Sequence, residues 1–190
     1  MSDKQGSETD CSYDRNDLVG EVTAFYEFLT TMYIPPEALR RPPPDGWPNI
    51  NAETYRSLNK TDRVIDLIRH LPYITRHTAW PYEIYLVTAV VDYEGDPVKR
   101  EVRRATESGK PLDVSYVNIE PESSYTHIPP HVLCLASETC GADGHFFLID
   151  TTIGTITVYS LGGHRFLRDH PGTIDLEGVS TPENPSLREH

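Results

Sequence analysis

His131-Val132-Leu133-Cys134-Leu135-Ala136-Ser137, the connection Glu138 to Gly144, His145-Phe146-Phe147-Leu148-Ile149-Asp150, the turn Thr151-Thr152-Ile153-Gly154 and Thr155-Ile156-Thr157-Val158-Tyr159 form the stretch that decides the fold. Its three runs are rich in β-branched and aromatic residues, which fit a pleated, largely buried surface. The connections between them are too short for a crossover. The runs therefore pair as antiparallel neighbours, and the C-terminal half is a β-meander.

Working outward, Ile84 to Tyr93 reads as one more buried strand ending at the turn Glu94-Gly95-Asp96-Pro97. The charged segment Val98 to Ser108 fits an exposed helix or an edge strand, Val114 to Ile119 a short strand, and Glu120 to Pro130 a loop. The first third is helical. From Asp17, the positions Leu18, Val22, Phe25, Tyr26, Leu29, Met32 and Tyr33 recur at three- and four-residue steps, with Asn16 or Asp17 as N-cap and Pro35-Pro36 as stop. Pro35 to Ile50 is a stiff loop containing Pro42-Pro43-Pro44 and Asp45-Gly46-Trp47-Pro48. Asn51 caps a short helix over Ala52 to Leu58. Thr61 caps another, whose stripe Val64, Ile65, Ile68 and Leu71 ends at Pro72. The expected architecture is α+β: N-terminal helices packed on a twisted antiparallel sheet in a single domain over 16–167, with disordered tails at 1–15 and 168–190.

The whole chain of 190 residues and 21.5 kDa suits one domain. With 17 Lys and Arg against 29 Asp and Glu the net charge is −12, which argues against nucleic acid and anionic membranes and for a protein partner with a basic surface. No apolar run approaches the roughly 18–20 residues of a membrane span. The first residues lack the apolar core of a secretory signal, and three cysteines suit reduced thiols, so a cytoplasmic or nuclear location is expected.

The order helix, Gly-Trp-Pro loop, short helices, then a strand ending in Leu148-Ile149-Asp150 and continuing through Thr151 to Val158, resembles the fungal cell-wall-assembly regulator family of Smi/Knr type, within the SUKH superfamily. Asp150-Thr151-Thr152-Ile153-Gly154 matches that family's Asp-Thr-x-x-Gly turn. The block Asp45 to Pro48 together with Asp66 to Tyr73 looks like a variety found in filamentous fungi. The resemblance spans about Leu18 to Leu161, and Pro35-Pro36-Glu37-Ala38-Leu39 lacks the family's usual glycine pair. It implies helices backing an antiparallel sheet and a role in binding other proteins, as in immunity proteins that occlude toxins and regulators that act as signalling hubs. It implies no enzymatic activity and no cofactor.

Each candidate for chemistry has a structural alternative. Asp150 could be an acid or base at a strand end, but an Asp carboxylate accepting turn amides, with Gly154 at positive φ, is the preferred reading. Cys134, Cys140 and His145 contain the residue types of a thiol nucleophile or a zinc site, with His127 or His131 as a further ligand. Cys134 and Cys140 are too widely spaced for the usual zinc pairing, and Cys134 sits within an apolar strand. Pro129-Pro130 prevents His127 and His131 from sharing a helix face. Gly162-Gly163 precedes no phosphate-loop motif. The aromatic residues Trp47, Tyr73, Trp80 and Tyr82, with Asp150, are the candidate partner-binding set, although Trp47 also suits a plug between helices and sheet. No catalytic, cofactor or metal residue is assigned. The reading is a non-enzymatic protein-interaction module. Its alternatives are a small hydrolase using Cys140, His145 and Asp150, or a domain holding a small ligand in an apolar pocket between helices and sheet.

Overall fold

A computed structural model describes residues 13–76, 80–121, 128–139 and 144–160. The meander forms as expected, with β5 Val132–Glu138, β6 Phe146–Asp150 and β7 Thr155–Tyr159 paired antiparallel. Its register places Cys134 beside Leu148 and Phe146 beside Tyr159, and an irregularity lies between Cys134 and Ala136.

The expected single strand Ile84 to Tyr93 is instead a hairpin, β3 Glu83–Tyr85 and β4 Thr88–Val90, and the sheet order is β3-β4-β5-β6-β7. Leu86 and Val87 make the connection, with Val87 at φ 48°. No Gly or Asn marks this turn, so composition conceals it. Tertiary bonds hold Val87: its amide donates to Glu83 Oε2 at 3.2 Å and its carbonyl accepts from the Thr139 amide at 2.9 Å.

A second, two-stranded sheet pairs β1 Leu39–Arg40 with β2 Tyr73–Ile74. The segment expected to be a stiff loop thus supplies a strand, because both partners are too short for any periodicity to show. Further along it, Gly46 has φ 77°, and a Cβ there would lie 2.8 Å from the Arg69 carbonyl oxygen. The Trp47 amide donates to that carbonyl at 2.8 Å, and Trp47 Nε1 donates to the Leu71 carbonyl at 2.9 Å. Trp47, which Gly46 allows to approach, therefore satisfies orphan carbonyls at the C-terminal end of the later helix α2, Asp62–His70.

Helix α1, Arg15–Thr30, starts earlier than expected. Its N-cap is Asp14, whose side chain accepts from the amides of Asn16 at 2.7 Å and Asp17 at 3.0 Å. Tyr13 packs on the core and Arg15 pairs with Asp66 at 2.9 Å, so residues 13–15 belong to the domain rather than to a tail. The rest of the N-terminal tail, 1–12, and all of 161–190 lie outside the described residues. Thr61 caps α2 as read. Over Ala52 to Leu58 the structure has a turn and then a 3-10 segment, Arg56–Leu58, closed by Asn59 in the left-handed region. The alternatives at Val98 to Ser108 resolve to a helix, α3 Asp96–Ser108, with Pro97 in its first turn. Val114 to Ile119 is not a strand: it begins with one helical turn, α4 Val114–Val117.

The fold is α+β, with every described helix ahead of β5. One apolar cluster joins Val22, Tyr26 and Leu29 of α1, Leu67 and Ile68 of α2, Val98 and Val102 of α3, and Leu133, Leu148 and Ile149 of the meander. Among the described residues no helix is long and apolar enough to cross a membrane.

Candidate functional site

Of the residues read as possible chemistry, His131 and Asp150 meet, with His131 Nε2 3.6 Å from Asp150 Oδ2, whereas His145 and Cys134 lie apart from that pair. Asp150 is buried at the end of β6, where its Oδ1 accepts from the Thr152 amide at 2.7 Å and from the Thr152 hydroxyl. Gly154 takes φ 72° and its amide donates to the Asp150 carbonyl at 2.9 Å. Thr151 fastens the turn to β5 through the His131 carbonyl, which accepts from both its amide and its hydroxyl. Asp150 is thus occupied as a turn former. His145 precedes β6 at the opposite end, roughly 16 Å from Asp150 by strand rise. Its amide donates to Thr88 Oγ1 at 3.0 Å and its ring meets Tyr85 edge-on at 5.1 Å. Cys140 and His127 lie outside the described residues. Cys134 is fully buried, and burial pushes its thiol far above the ordinary range, first by desolvation and then by the nearby Glu120 carboxylate. Such a thiol is a core hydrophobe, not a nucleophile. Among the described residues no group of three His, Cys, Asp or Glu side chains could hold a metal ion.

Of the proposed partner-binding residues, Trp47 and Tyr73 are interior, with ring centroids 5.9 Å apart and the Tyr73 hydroxyl bonded to the Ile68 carbonyl. They hold helix to sheet and present no ring to a partner. Trp80 is 72% exposed and Tyr82 half-buried.

The apolar surface that does face water was hidden in the sequence pattern of α1. The stripe read there is two stripes. Leu18, Val22, Tyr26 and Leu29 face inward, whereas Phe25 and Met32 turn outward, joined there by Phe28, which the stripe did not include, with Phe28 57% and Met32 62% exposed. Asp17 and Glu21, four residues apart, continue the outward line toward the helix start. Beyond the helix end Tyr33, also exposed, donates its hydroxyl to the Glu83 carbonyl on β3. That bond places the end of α1 beside the β3–β4 hairpin, where Tyr85 and Leu86 are exposed and the Tyr85 ring lies 5.8 Å from Phe147. Exposed aromatics thus run from α1 onto the sheet edge, flanked by the exposed carboxylates Glu21, Glu27 and Glu83. Glu27 is held by Arg41 at 2.8 Å. Excess apolar residues at helical spacing were the available signal, but spacing alone does not say which stripe is covered.

A separate cleft of about 490 Å³ lies between the 48–55 segment and the first turns of α3, lined by polar and charged side chains. No family model, no curated protein and no solved structure matches the chain.

Proposed function

We propose that this chain is a non-enzymatic protein-interaction module, similar in kind to the cell-wall regulators and immunity proteins its turn and Gly-Trp-Pro block resemble, working in the cytoplasm or nucleus. The observation that carries the reading is the run of exposed Phe25, Phe28, Met32, Tyr33, Tyr85 and Leu86. Monomeric surfaces rarely leave contiguous large apolar side chains in water, and aromatics with Met are the usual anchors of interfaces. The surrounding carboxylates favour a partner whose apolar contact patch has a basic rim, and they speed encounter at low salt. Nucleic acid is a poor match for this acid-flanked surface. The hydrolase alternative has no support in the placement of His145 and Asp150 at opposite ends of one strand.

The test compares the full chain with Phe28→Ala/Met32→Ala as bait, in lysate, at low and moderate salt, with mass spectrometry of the retained proteins. The expected result is a small set of basic proteins held by the native chain, weakened by salt and lost from the variant. Retention that does not distinguish the two baits would overturn the reading. Iodoacetamide mapping of the native protein adds a check on the enzymatic alternative, with Cys134 expected to react only after denaturation.

A further inference from the structure

We propose that the cleft between the 48–55 segment and α3 binds a phosphomonoester dianion, a site independent of the aromatic surface. Its lining sets Asn49, Asn51 and Thr54 on one side against one carboxylate, Asp96, and three cations on the other: Lys99, Arg100 and Arg103. The last three are spaced so that they share one helix face, opposite the buried Val98, Val102 and Ala105. Three cations therefore converge on one cavity in a chain whose net charge is −12.

Local bookkeeping of charge selects the ligand. Lys99 is engaged by Glu94 at 3.1 Å and Asp96 at 3.6 Å, so its charge is answered from within the protein. Arg100 reaches Glu101 only at 3.7 Å, and the other oxygen of Glu101 is held by Arg104 at 2.8 Å. Arg103 makes no ion pair among the described residues. Two guanidinium groups are left to face the cleft, which a dianion matches better than a carboxylate does, and guanidinium forks suit phosphate oxygens. The neutral side supplies further donors: Asn51 Oδ1 accepts from the Thr54 amide at 2.9 Å, which leaves its NH2 group for a ligand. The N-cap of α3 is Gly95, which has no side chain, and Asp96 in the first turn offsets the positive end of the helix dipole, so the field in the cleft comes from the two arginines. The volume falls within the range of small-ligand sites.

Phosphate esters occur on small molecules and on phosphorylated side chains, and one titration separates them. The isotope-labelled full chain is titrated with phenyl phosphate, with a phosphoserine pentapeptide and with benzoate, while the amides of Asn49, Asn51 and Thr54 and the Nε–H groups of Arg100 and Arg103 are followed by NMR. Saturable shifts at these positions are expected with a phosphate ester. They should weaken about tenfold or more in Arg100→Gln/Arg103→Gln, less in Arg103→Gln alone, and not at all in the remote Arg41→Gln. Tighter binding of the peptide would assign a phosphorylated side chain, and tighter binding of phenyl phosphate a small molecule. Unchanged binding in the double variant, equal binding of benzoate, or no saturable shift would each overturn the proposal. Unperturbed spectra of the variants away from the cleft verify that they remain folded.

Discussion

Helices α1 and α3 each bury one apolar stripe, Val22, Tyr26 and Leu29 in the first and Val98, Val102 and Ala105 in the second, and they differ in what they turn to water. On α1 and the turn after it the outer side is Phe25, Phe28 and Met32 behind a line of carboxylates, whereas on α3 it is Lys99, Arg100, Arg103 and Arg104. An acidic chain therefore carries one surface suited to apolar anchoring by a basic partner and one concentrated patch of cations. About half of its acid excess lies in segments outside the described residues, so net charge describes neither helix. Composition averages over faces whose chemistry is opposite.

Truncating the inner stripe against the outer one gives the largest expected contrast. Tyr26→Ala should cost about 3–5 kcal/mol in urea denaturation, whereas Phe28→Ala should stay within about 0.5 kcal/mol, because only the first opens a cavity. Equal losses would erase the distinction between the two stripes of α1. On α3, Val102→Thr places a hydroxyl in the core and should cost about 1–3 kcal/mol, while Arg103→Gln leaves the denaturation midpoint nearly unchanged.

A smaller effect of opposite sign is expected for Tyr26→Phe. The Tyr26 hydroxyl is buried with no hydrogen-bond partner among the described residues, and its removal should raise stability by about 1 kcal/mol, measured by thermal unfolding. The smallest effect concerns the approach to α3. Burial raises the Asp92 carboxyl above its ordinary value, against a weaker opposing pull from Arg40. A raised folded-state pKa means that the protonated form is the better tolerated one. Its contribution to stability is full below the ordinary carboxylate range and lost as pH rises through the folded value. Asp92→Asn should therefore be more stable than the native chain at neutral pH, with the gap closing in denaturation series taken down to acidic pH.

Legibility followed the kind of signal each segment carries. The meander could be read because three apolar runs with short connections admit one pairing, and Thr155–Tyr159 falls where it was placed. The Asp150 turn was equally legible, since an Asp side chain and Gly154 serve one local geometry. The β3–β4 hairpin was not, because Val87 adopts a conformation its residue type disfavours and depends on bonds to Glu83 and Thr139. Nor was the β1–β2 pair, two residues on each side, in which the Leu39–Ile74 register arises only once α2 returns the chain. At the candidate surface, Trp47 and Tyr73 were drawn inward by bonds to the Leu71 and Ile68 carbonyls, while Phe25 and Met32, read as part of the apolar stripe of α1, remained outside.

Periodicity, turn chemistry and β-propensity are local properties, and they suffice to read an α+β chain with helices first and a C-terminal antiparallel meander. Only the assembled chain shows which apolar side chains of the α1 region are covered, that Cys134 is fully enclosed, and that Lys99, Arg100 and Arg103 face Asn49 and Asn51 across one cleft. Those outcomes depend on which surfaces the rest of the chain brings together, and burial, desolvation and charge convergence are properties of that assembly rather than of any one segment.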